Sequence, residues 1–336
     1  MTSRQAPPPE RDFPAERLEL RRQQLLALIE AEQQPQRRRV SPRRSRRWPF
    51  GLAATAAVAA ATAVAVTALL PAGSGGPSPA AAAVLRHAAR AAARQPAVEP
   101  PAPGQFVYTK SKSLFMDTAV TNQQTIDYYE HVTREAWIGP DGSGRIREAE
   151  STPNFVTDAD RAAWVAAGKP DLTGHRNSDQ TWGAGGLDYL NLSKLPTDPA
   201  QLEQLIEHRT IESGPPGDAE TFTIIGDLLR ETYAPPGVRS ALYTIASQLP
   251  GVQLVGKIRD QLGRTGIAVA YVSHAISHEL IFDPKTSALL AERQQVVGTD
   301  PSQVQPRVPV GTVLESTAYV SSGIVDSTSA AASAGP

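Results

Sequence analysis

The chain has 336 residues, enough for one large or two small domains with a hydrophobic core, and its net charge of −1 hides an uneven distribution. Residues 1–50 hold 12 Arg, no Lys and 6 acidic side chains, a net of +6, which leaves −7 for the rest. The lack of cysteine excludes a disulfide scaffold, an iron–sulfur cluster, a thiol nucleophile, a thiolate zinc site and a lipid-bearing cysteine.

Residues 1–49 read as a basic cytoplasmic arm. Within it, residues 16–32 contain no Gly or Pro and predict a short helix, with Pro14 placed in its first turn. Leu18, Leu25, Leu28 and Ile29 fall near one face, interrupted by Arg22. So narrow a stripe suits a frayed helix on a lipid surface, or a docking face for a cytoplasmic protein partner. Arg37, Arg38, Arg39, Arg43, Arg44, Arg46 and Arg47 follow, then Trp48. No nucleic-acid-binding fold accompanies this run, so nucleic acid is not an expected partner; anionic headgroups suit it better.

Residues 50–70 carry no charge. A helix of that length measures about 31 Å, one hydrocarbon core, and predicts a single membrane span. The arginines before it place the N-terminus in the cytoplasm, with Trp48 at the inner interface. A cleaved signal would need a far shorter leader. A twin-arginine export signal fits poorly, because in Ser45-Arg46-Arg47-Trp48-Pro49-Phe50 the Phe is one place late. A soluble Ala-rich helix is the remaining alternative. Residues 71–80, rich in Pro and Gly, read as a flexible linker to an extracytoplasmic domain at 81–326.

That domain opens with a helix at 80–94, where Arg86, Arg90 and Arg94 recur every four residues. Strands are predicted at 105–116, 125–138 and 144–150, the last two joined by the turn Gly139-Pro140-Asp141-Gly142. Residues 151–196 form a long excursion with short helical pieces, anchored by Trp164 and Trp182. Helices follow at 198–208, 219–233 and 237–248. The period then changes to two, giving strands at 252–259, 266–273, 277–282, 287–297 and 312–321. Residues 327–336 are small and polar, and are expected to lack fixed structure. The predicted class is α+β: a curved antiparallel sheet of about eight strands with helices on one face, preceded by one transmembrane helix.

The chemistry is sparse. His274 and His278 lie beside Glu279, but their spacing straddles a hairpin and no further ligand follows, so no metal is expected. Asp158 and Asp160 fit a helix cap. Arg90 with Arg94 reads as a solvated face before an anion site. No nucleophile elbow, phosphate loop or dinucleotide fingerprint occurs, so neither catalytic residues nor a cofactor are assigned.

Two stretches carry a resemblance. One runs Leu249-Pro250-Gly251-Val252, Gly263-Arg264-Thr265-Gly266-Ile267-Ala268-Val269, then Glu279-Leu280-Ile281-Phe282-Asp283-Pro284-Lys285-Thr286-Ser287-Ala288-Leu289-Leu290. The other is Pro103-Gly104-Gln105-Phe106-Val107-Tyr108 after an Ala-rich helix. With the basic arm, the chain resembles an actinobacterial family of single-pass membrane proteins of uncharacterised function. That family is similar in layout to membrane regulators paired with extracytoplasmic-function sigma factors. The order of elements also resembles the half-barrel fold of periplasmic lipoprotein carriers and envelope-stress regulators. These resemblances imply a non-enzymatic sensor or regulator with an external ligand-binding domain, or else an anchored carrier of a lipid or apolar peptide.

Overall fold

The computed structural model describes residues 76–97, 99–121, 124–172, 177–185, 192–209, 217–230, 234–299 and 308–332. Five α-helices are present among them: α1 (Pro79–Ala93), α2 (Asp158–Ala166), α3 (Pro199–Arg209), α4 (Asp218–Arg230) and α5 (Pro236–Ala246). Nine strands accompany them: β1 (Phe106–Thr121), β2 (Gln124–Ile138), β3 (Gly144–Phe155), β4 (Ser178–Trp182), β5 (Val252–Arg259), β6 (Thr265–Ser273), β7 (Ile276–Phe282), β8 (Leu289–Val296) and β9 (Val313–Val325). They form one open sheet in the order β4-β3-β2-β1-β9-β8-β7-β6-β5, antiparallel at each pairing.

The expected fold is corrected on two counts. The sheet has nine strands rather than about eight. The extra one, β4, is Ser-Asp-Gln-Thr-Trp, which has no apolar alternation and pairs at the sheet edge through register with β3. No described helix is long and apolar enough to cross a membrane. The longest has 15 residues, where a span needs ~20. The segment 50–70 lies outside the described residues, as do Leu18, Leu25, Leu28, Ile29, the arginines from Arg37 to Arg47 and Trp48. A preceding transmembrane helix is therefore not shown, and the single-pass membrane description is not supported.

The starts of α1 and α2 follow from local chemistry. Ser78 caps α1, its hydroxyl accepting from Ala81 N at 3.2 Å, and Pro79 sits at the first position, where no N–H is needed. Thr157 and Asp160 close a reciprocal capping box on α2. Ala81, Leu85, Ala88, Ala89 and Ala92 repeat with helical period on the buried face of α1. These small side chains let α5 approach closely with Val238, Ala241, Leu242 and Ile245. Beneath, the same core takes in Val252, Val269, Leu280, Phe282, Leu289 and Tyr319 from the sheet. Tyr243 of α5 meets Phe282 edge-on at 5.3 Å and donates to Ser287 O at 2.8 Å, so its hydroxyl is satisfied where it is buried. On the same sheet face, α2 packs Ala163 and Trp164 against Ile126, Tyr128 and Phe155.

The opposite face is crossed by the β5–β6 turn. Its Arg264 donates to Tyr319 O and Leu290 O, both at 2.8 Å, and Gln261 donates to Ser316 O at 3.2 Å and to Lys112 O. In a flat sheet, β6 and β9 would stand about 14 Å apart, three strand spacings. Direct bonds between them require the sheet to coil over this face. The ladder irregularities allow that bend. At one, between Ile281 and Phe282, the β7–β8 register skips Leu290; at another, the β1–β9 register skips Val320, next to Tyr319. Arg264 thus bonds carbonyls beside the two places where the ladder is broken. Asp260 neutralises it at 2.7 Å and also accepts from Leu262 N and Arg264 N, at 2.9 Å each. Beneath the turn lie Ile258, Ala268, Ile281, Ala291 and Ala318. Gly266 belongs to the same layer because a Cβ there would come within 2.5 Å of Ile281.

Candidate functional site

The outer surface of α1 and α5 is the feature of this domain that packing does not explain. Neither helix contains an acidic residue, whereas the sequence beyond residue 50 is net acidic. Arg86, Ala89, Arg90 and Ala93 of α1 and Ser240 and Thr244 of α5 line a shallow groove of about 290 Å³ between the two helices. Arg86 and Arg90 are one turn apart, about 6 Å along the helix axis, and so are Ser240 and Thr244 on the facing helix. Among the described residues, no acidic side chain pairs with Arg86, Arg90 or Arg94. Thr244 gives its one hydroxyl proton to Ser240 O at 2.8 Å, so Ser240 is the hydroxyl left to donate into the groove. Two guanidinium groups and the Ser240 hydroxyl over an alanine floor can hold an oxyanion, because planar guanidinium forks match phosphate and carboxylate oxygens.

Three networks of buried and half-buried titratable groups, by contrast, are engaged internally. Under α4, Glu292 accepts from Tyr319 at 2.6 Å and from Arg230 at 2.6 Å, and Arg230 also meets Asp227 at 3.0 Å. Burial, and then the Glu292 charge, push the Tyr319 hydroxyl well above its ordinary value. This network ties α4 to β8 and β9. On the opposite face, Glu279 is 2 % exposed and holds Arg293 at 2.7 Å and Ser277 at 3.2 Å. At the far end of that face, Glu135 accepts from Tyr108 at 2.7 Å and from Arg147, with Lys110 at 3.6 Å. Burial and the Glu135 carboxylate push the Tyr108 hydroxyl up to about 12.

Glu279 and Glu135 should give opposite pH slopes. Burial raises the Glu279 carboxyl above its ordinary 4.5, against the opposing pull of Arg293. The folded chain then holds that proton after the unfolded chain has lost it, so stability falls as pH rises above 4.5. Burial also acts to raise Glu135, but the bonds from Arg147 and Tyr108 and the charge of Lys110 outweigh it and hold the group below 4.5. Its contribution is present above 4.5 and is lost as pH falls through the lowered value. Urea denaturation of Glu279→Gln and Glu135→Gln between about pH 3 and pH 7 checks this. Relative to wild type, Glu279→Gln should gain stability with rising pH and Glu135→Gln should lose it. Parallel curves would refute the assignment.

The sequence-predicted candidates are placed as follows. His274 and Ala275 both have positive φ, 50° and 62°, and form the two-residue β6–β7 turn, while His278 lies inside β7 opposite Tyr271. The described residues contain no group of three His, Asp or Glu that could hold a metal. Asp160 serves the α2 cap, and Asp158 stands beside it in the first turn. Arg86, Arg90 and Arg94 are exposed on α1, and the fold brings Ser240 and Thr244 to the first two. No local pattern marks those hydroxyls; the acid-free composition of α5 is the one signal the sequence carries for them. An acyl chain lodged between helices and sheet would have to separate Leu85 and Leu242 from Val269 and Leu280, all buried in one cluster.

The resemblance noted above rests on the residues quoted for it. No protein-family model matches this chain, and no curated protein or solved structure matches it either.

Proposed function

We propose that this chain is a non-enzymatic ligand-binding regulator, whose α+β domain takes a small oxyanion in the α1–α5 groove and whose N-terminal arm offers Leu18, Leu25, Leu28 and Ile29 to a protein partner. The observation that carries the reading is that Arg86 and Arg90, without an acidic partner among the described residues, share a groove with Ser240 and Thr244 on a chain that is net acidic beyond residue 50. Carboxylate and phosphate ligands are the chemistry such a pair selects. What supports binding over catalysis is that Glu135, Glu279 and the half-buried Glu292 are each paired with an arginine.

Calorimetric titration of the full chain with inorganic phosphate and with citrate tests the reading. Saturable binding should weaken at least tenfold in the Arg86→Gln/Arg90→Gln double variant, about 1.4 kcal/mol or more, while the melting temperature stays unchanged. Both side chains are exposed, so their removal opens no cavity. Equal binding by the two proteins, or none by either, refutes the groove. Crosslinking from the arm in intact cells extends the test to regulation. Identical partner yield from both proteins would remove the regulatory half.

A further inference from the structure

A second surface lies on the other face of the sheet, around Trp137. Tyr108 and Trp137 are opposite each other on β1 and β2, with ring centroids 5.3 Å apart. The guanidinium groups of Arg145 and Arg147 stand 5.4 and 6.0 Å from the Trp137 ring. Asp179 of β4 fixes Arg145 through two bonds of 2.7 and 2.6 Å. Phe106 and Val325 complete an aromatic, cationic trough. Trp137 is only 2 % exposed because the segment 327–332 lies over it.

How that segment is held differs from the rest of the fold. Trp137 Nε1 donates to Ala330 O at 2.5 Å, and Arg145 donates to Thr328 O at 3.1 Å. Both acceptors are backbone carbonyls. Among the described residues, no side chain of 327–332 makes a hydrogen bond to the sheet; the Ser327 hydroxyl bonds only Ser329, through its hydroxyl and its N–H. Its apolar contribution is the methyl groups of Ala330 and Ala332. Ala332 fits because Gly323 lies beneath it: a Cβ on Gly323 would approach the Ala332 Cβ to 2.9 Å. The segment turns over the trough, Ala330 N donating to Ser327 O at 3.2 Å, so the trough reads the main-chain carbonyls and small side chains of an Ala- and Ser-rich turn.

We propose that this trough is an exchangeable peptide site, occupied in cis by residues 327–332, which a turn-forming Ala- and Ser-rich segment of a partner chain displaces. The cis segment is a competitor at high effective concentration. A partner must therefore outbind it or meet the protein with the segment already lifted. The site is independent of the α1–α5 groove and shares no residue with it.

The test starts from the folded full chain carrying a protease site inserted after Asp326. After cleavage and dialysis, the Trp137 indole N–H resonance, identified with Trp137→Phe, should shift. A synthetic peptide of residues 327–336 should restore it saturably, whereas the same peptide with Phe at the positions of Ala330 and Ala332 should not. Uncut Gly323→Val should show the cleaved-state shift, because its side chain excludes Ala332. Loss of the circular dichroism signal on cleavage would make the segment an integral part of the core and overturn the proposal. A cleaved, folded chain that does not respond to millimolar peptide would also overturn it.

Discussion

Replacing Arg264 with Ala should lower the unfolding free energy by about 3 kcal/mol, read as a reduced urea midpoint at unchanged slope. Asp260 has a fully buried carboxylate, and removing its partner leaves that charge uncompensated. The carbonyls of Tyr319 and Leu290 lose their donor in the same step. Arg264 itself is partly exposed, so water recovers some of the loss, which keeps the effect near the lower end of the usual range for a broken buried pair. Asp260→Asn combined with Arg264→Met should cost less than the sum of the single changes, because the pair loses its charges together. A loss under about 1 kcal/mol for Arg264→Ala would mean that the turn is not what holds the coiled sheet.

Leu242→Ala should cost about 2–5 kcal/mol by the same measurement. Leu242 is 0 % exposed in the cluster that joins α1, α5 and the sheet. Part of the cost is lost transfer energy, and part is the cavity that remains. The cavity should be poorly filled, since α1 presents Ala81, Ala88, Ala89 and Ala92 to this layer, and a methyl group has no rotamer that reaches into new space. Val165→Ala is the control. Val165 is 50 % exposed on α2, and its truncation should change stability by less than about 0.5 kcal/mol. Similar losses for the two variants would refute the account of the helix layer.

The two regions differ in how much of them the sequence made legible. Much of the helical pattern was readable because its signals are local: Asp160 beside Thr157 marks the start of α2, and apolar residues recur with helical period in α1 and α4, although α1 begins at Pro79, inside the stretch expected to be a linker. Most strands showed period-two alternation. Other strand features were not readable. β4 pairs because β3 offers it an edge, and Arg145 meets Asp179 only in that register. β3 runs on to Phe155 through Pro153, which lies beyond the part of the strand that β4 covers and so blocks no ladder bond on that side. The segment 327–332, expected to lack fixed structure for want of large side chains, is held by donors from Trp137 and Arg145.

By itself, the sequence determined the charge asymmetry, the lack of thiol chemistry, the local signals that start and stop the described helices and the acid-free composition of α1 and α5. These follow from composition and short-range periodicity, which need no knowledge of contacts. Only the tertiary structure decided that Arg86 and Arg90 face Ser240 and Thr244, that Asp260 and Arg264 close the coiled sheet, and that residues 327–332 cover Trp137. Each of those pairings joins residues far apart in the chain. Their partners are selected by strand order and ladder irregularities that no local pattern encodes.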